Sequence, residues 1–181
     1  MKKLITLLVL VSLETPVLSQ EFNDSIMNHV LFDEVIAYHE KRNNEVEIYF
    51  SEVGAELHSK GSVEYMETNG CRHRPSHSYL NSLPKNELIM ILNDIGADTT
   101  GYDYMGRGEI LARIPIRGQT TYQDVAKIAI NGWLKSRGHK GTIMNMGGKH
   151  GGLNILGISS SYDEKTRNIN IALTRFTAYK Y

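Results

Sequence analysis

The sequence predicts an α+β fold, with helices first and an antiparallel sheet last. Three observations predict it. Apolar residues recur at helical spacing from Val30 to Arg42 and from Tyr122 to Ser136. Near the C-terminus they alternate with period two on either side of a short polar turn. Cys71 is the only cysteine, so an internal disulfide is ruled out and the fold rests on its core.

The first segment reads as an export signal. Lys2 and Lys3 precede an apolar run from Leu4 to Leu13, broken by Thr6 and Ser12. Val17-Leu18-Ser19 then suits a cut after Ser19 or Gln20. The run is about half the roughly 20 apolar residues of a membrane span, and Glu14, Thr15 and Pro16 stop it. No later stretch is apolar for long enough, so no transmembrane segment is expected after signal removal. The expected destination is secreted or periplasmic. Removing residues 1–19 leaves 162, enough for one domain with a sizeable core. Its charge is 18 basic against 19 acidic residues, which argues against a nucleic-acid or anionic-membrane partner.

Residues 20–29 read as a loose polar segment and 30–181 as the domain. Val30, Leu31, Val35, Ile36 and Tyr38 fit one helix face. Val46, Tyr49, Phe50, Val53 and Leu57 follow at spacings of three and four, continuing through Val63 and Met66 to Asn69-Gly70, a helix-stop pair. Residues 71–84 read as loop, with Cys71 expected to be buried. Leu88 to Ile95 reads as a short helix ending at Gly96, and the glycine- and tyrosine-rich stretch 101–108 as loop. Glu109 to Ile116 reads as a short strand.

The clearest helix runs from Tyr122 to Ser136. Thr121 caps it with Asp124 three residues on, Val125, Ile128, Ala129 and Trp133 share a face, and Gly138 is placed to stop it. The glycines around His150 lack the Gly-Lys-Ser/Thr of a phosphate loop and read as a flexible lead into the hairpin. Leu153 to Tyr162 and Asn168 to Thr177 form that hairpin. Ile169, Ile171 and Leu173 alternate with Asn168, Asn170 and Ala172, which predicts one buried face.

The segment Trp133-Leu134-Lys135-Ser136-Arg137-Gly138-His139-Lys140-Gly141-Thr142-Ile143-Met144-Asn145 resembles the signature of bacterial CAP domains, the superfamily of cysteine-rich secretory, antigen-five and pathogenesis-related proteins. Gly108-Glu109-Ile110 resembles that family's Gly-Glu-Asn-Ile motif without the Asn. Ala55, His58-Ser59, Tyr65-Met66 and Gly70 followed by His73 resemble the helix and loop that deliver its first histidine. Gly157-Ile158 and Phe176 resemble its closing strands.

The resemblance implies a three-layer α/β/α sandwich with a central antiparallel sheet and a surface cleft. Carried over residue by residue, the cleft holds Glu109, His139 and either His73 or His77. Ser136 stands near the position where many members carry a second acidic residue, so three groups remain. Two histidines and a carboxylate suit a zinc-like divalent metal on His73, Glu109 and His139, or acid–base work at neutral pH. Equally, Glu109 and His139 suit a buried hydrogen-bonded pair. Pro75 disfavours a helix interior between His73 and His77, and no Glu follows His73, which counts against a zinc-protease helix.

Three functions follow as expectations. The first is a non-enzymatic secreted binding module for a lipid, sterol or protein. The second is a metal-dependent hydrolase using the His/Glu cleft. The third is an interaction protein whose cleft is vestigial and whose segment 71–108 makes the contact.

Overall fold

The computed structural model describes residues 22–42, 46–75, 83–117, 121–144, 146 and 152–180. The expected signal, His77, and His150 with Gly147, Gly148 and Gly151 lie outside them. The described chain is a mixed α/β fold around a four-stranded sheet of order β1-β3-β4-β2.

Helix α1, Asp24–Glu40, begins inside the segment expected to be loose. Asn23 caps it by accepting the Ile26 N–H, and Met27, Leu31, Val35 and His39 form its buried stripe. The next pattern departs from its predicted helix. Ile48–Phe50 is strand β1. Val46, Ile48 and Phe50 pack into the larger core while Tyr49 and Val53 pack into another, the two-sided alternation of a strand. Ser51 then caps α2, Glu52–Gly54.

A π-helical turn over Ala55–Ser59 follows, and α3, Lys60–Asn69, continues from it. Gly70 ends α3 with φ at 71°, where a side chain would be strained. Cys71, expected to be buried, is exposed. Helix α4 is Lys85–Asp94.

Strand β2, Tyr102–Pro115, takes in most of the stretch read as loop. Its pairing with the last strand supplies the main-chain partners that a glycine-rich composition does not advertise. Helix α5, Tyr122–Lys135, carries the expected capping box of Thr121 and Asp124. Its buried face is Tyr122, Val125, Ala126, Ala129, Ile130 and Trp133, whereas Ile128 is half exposed. Ser136, in extended conformation, ends it before Gly138 can. Gly138 instead lies within α6, Arg137–Met144.

Strands β3, Leu153–Asp163, and β4, Asn168–Lys180, form the hairpin. β4 pairs antiparallel with both β2 and β3, but β1 pairs parallel with β3. The sheet is therefore mixed, not wholly antiparallel. β4 is also buried on both faces. Ile169, Ile171 and Leu173 join the core of α1 and α5, while Ala172 packs with Val63 and Met66 of α3 and Leu111 of β2. Asn170 is fully buried on that second face.

Candidate functional site

β2 has β4 on one side and, among the described residues, no strand on the other. Its alternation sends Ile110, Ala112 and Ile114 into the core with α5, and sends Leu111 toward α3. Glu109 and Arg107 share the Leu111 parity. They therefore arise on the face that the π-turn and α3 cover, at an edge of the sheet.

The Glu109 carboxylate is 5 % exposed and doubly engaged. Ser62 of α3 donates its hydroxyl to Oε1. His73, just past the glycine stop of α3, donates Nδ1–H to Oε2 at 2.7 Å. A carboxylate only accepts, so this bond fixes the proton on Nδ1 and leaves Nε2 with its lone pair toward the rim. His73 is 44 % exposed, which keeps its ring at the rim. Glu109 thus works as an orienting group beneath His73.

His139 arrives on α6, which docks with the α5 side of the core through Ile143. Its ring centroid stands 6.4 Å from that of His73, edge to face. Burial is the main reason its pKa lies below the usual histidine value, and repulsion from His73 adds to the shift. Two devices hold α6. Arg175 of β4 donates to the Thr142 carbonyl at 3.3 Å, and buried His39 of α1 donates Nε2–H to the Ile143 carbonyl at 2.9 Å. Both satisfy carbonyls in the last turn of α6 that have no partner within the helix. The Trp133 indole N–H, at the end of α5, donates to the Leu111 carbonyl at 2.7 Å and ties that helix to β2.

The structure thus brings His73, Glu109 and His139 together. The carboxylate lies against His73, and His139 faces the pair across the rim rather than bonding to Glu109. Among the described residues no three His, Cys, Asp or Glu side chains group closely enough to hold a metal ion.

A second constellation adjoins the first. Arg107 NH1 donates to His58 Nδ1 at 2.9 Å, and His58 Nε2 lies 3.1 Å from Glu87 Oε2 of α4. Arginine only donates, so Nδ1 is the acceptor and Nε2 carries the ring hydrogen. His58 is buried against Phe176, with ring centroids 5.3 Å apart. Arg74 donates to the His58 carbonyl at 3.0 Å. Burial lowers the Arg107 pKa, while the Glu109 and Glu87 carboxylates oppose that shift.

Sequence reasoning places His58 in a motif but gives it no site role, and it misses Ser62, Arg74, Glu87 and Arg107. One signal was available for Arg107, which stands two residues before Glu109 and so shares its strand face. None was available for the π-turn, which buries His58 and Ser59 side by side. Such turns concentrate at functional sites.

No family model and no curated protein matches the chain. Among solved structures, it is similar to an outer surface protein from Borrelia burgdorferi, at 14% identity and a TM-score of 0.47. That match covers 88% of this chain and 97% of the other.

Proposed function

We propose that this chain is an exported CAP-like protein with that family's three-layer sandwich, and that it acts as a non-enzymatic binding module through the cleft of His73, Glu109 and His139. One observation supports it above the others. Two imidazole rings meet edge to face at a partly open rim, over a carboxylate that Ser62 and His73 already engage. That arrangement offers His73 Nε2 and the His139 ring to a polar group of a ligand. Among the described residues it pairs no Ser, Thr or Cys hydroxyl or thiol with an imidazole base, and Glu109 is engaged in orienting His73. The cleft therefore suits recognition better than hydrolysis.

Native mass spectrometry of the protein recovered from its own envelope or medium tests the reading. The expected result is a mature chain cut after Ser19 or Gln20 carrying a non-covalent adduct that His139→Ala releases. Zinc binding at one equivalent in calorimetry, lost in His139→Ala and accompanied by ester or peptide hydrolysis, would replace this reading with the metal-hydrolase one.

A further inference from the structure

We propose that the groove between α1 and α3, at the opposite edge of the sheet from the histidine cleft, binds an extended basic peptide as an added strand along β3. β3 is far longer than β1, the strand beside it on this edge. β3 spans Leu153–Asp163, but β1 pairs with it only at Asn154, Ile155 and Leu156. β4 covers the other side of β3 along the whole strand. From Gly157 to Asp163, among the described residues, the outer edge has no strand.

The free polar groups on that edge can be named. The Leu156 carbonyl accepts from Ser51 N at 2.8 Å on the β1 side. Main-chain groups alternate in direction along a strand, so Ile158, Ser160 and Tyr162 aim theirs the same way. Ile158 is itself fully buried, so the open part of the edge runs from Ser159 to Asp163, roughly 13 Å. Ser51 is where the chain leaves the sheet to cap α2, so an incoming strand would continue the line that β1 abandons.

A cavity of about 430 Å³ lies along this edge, lined by Ser159, Ser160 and Ser161 and by both flanking helical segments. Its walls carry Asp24, Glu52, Glu56, Glu64 and Glu67 against Lys60, which Glu56 already neutralises at 2.8 Å. The whole chain has equal numbers of basic and acidic residues, so this acidity is local. Sheet edges recruit extended peptides through main-chain bonds, and wall chemistry selects their side chains. Four of the five carboxylates belong to the α2–α3 side. A partner strand with Lys or Arg at alternate positions would present them to that wall.

Fluorescence anisotropy with a labelled octapeptide of alternating Lys and Thr tests the proposal. The peptide is expected to bind, and its Glu–Thr counterpart is not. The double variant Glu52→Gln/Glu64→Gln, its fold checked by circular dichroism, should weaken binding about tenfold. The decisive arm is the Lys–Thr peptide N-methylated at alternate residues in each register, which keeps its charge but loses strand pairing. One register should lose about tenfold or more. Equal affinity for all three forms would overturn the proposal, because charge alone would then explain the binding. Failure of the peptide to bind, with concentration-dependent dimerisation, would also overturn it and assign the edge to a second copy. His139→Ala should leave peptide binding unchanged, which separates this groove from the histidine cleft.

Discussion

His73 and Glu109, 36 residues apart, are joined by a 2.7 Å hydrogen bond that runs from a half-exposed ring to a nearly buried carboxylate. The carboxylate enters the protein with two donors waiting for it, Ser62 and His73. Buried charge is tolerated only with such compensation. Glu109→Gln keeps the shape but removes the charge, and its amide can accept from His73 only by turning its NH2 toward the Ser62 hydroxyl. Urea unfolding should show a loss of roughly 1.5–3 kcal/mol, the range for hydrogen bonds to charged groups. A loss below about 0.5 kcal/mol, on that same scale, would mean that solvent reaches the pair and that Glu109 is not structural.

His139 should report on His73 directly. Its pKa is depressed by burial first and by the neighbouring ring second. His73→Phe keeps the packing and removes the charge, so the His139 pKa should rise part of the way toward its ordinary value and stop short of it. Titration of the His139 ring protons by NMR measures this. A complete return would show that burial is not the larger cause.

Gly157 allows the π-turn to lie on β3. A Cβ there would sit 2.6 Å from both the Ala55 nitrogen and the Gly54 carbonyl carbon, backbone atoms that cannot swing aside. Ser59 adds a 2.8 Å bond to the Gly157 carbonyl. Gly157→Ala should therefore destabilise by roughly 3 kcal/mol, the upper end of overpacking costs, and displace His58 with the turn. Thermal unfolding checks the first effect. The second would appear as a changed chemical shift for the His58 ring.

Much of the fold is legible in the sequence where a single period dominates. The capping box at Thr121, the Gly70 stop and the closing hairpin all follow from local chemistry. Legibility fails where a tertiary contact decides. Ile48–Phe50 satisfies helical spacing together with its neighbours, yet Leu156 is available to pair with it, and three residues become strand. Tyr102 to Gly108 lacks a strand-like composition, and β4 supplies its order. The site divides in the same way. Glu109 and His139 stand in short motifs, whereas Ser62 and Glu87 reach the site only through helix placement. The groove on β3 has no motif, because it consists of a strand longer than its neighbour.

His39 makes the stability of the cleft pH-dependent. It is 2 % exposed, and its Nε2–H is donated to the Ile143 carbonyl. That assignment leaves Nδ1 as a lone pair, buried with no partner among the described residues. Burial pulls the pKa down, Arg42 adds to this, and the Ile143 bond opposes it. Tyr38, packed against the ring at 5.4 Å, brings no compensating charge. The folded pKa lies below the unfolded value near 6.5, so the unfolded chain binds the extra proton. The contribution of His39 is present above that value and is lost as pH falls toward the folded pKa. Urea midpoints should decrease from pH 7 to pH 5, and His39→Gln should flatten that decrease, since an amide can still donate to Ile143 without titrating. Because Ile143 anchors α6, acid should also loosen that helix and the His139 it carries: protection of the Ile143 amide against deuterium exchange should fall from pH 7 to pH 5, while the amides of β4 keep theirs. Uniform exchange across α6 and β4 at both pH values would show that His39 does not control the helix.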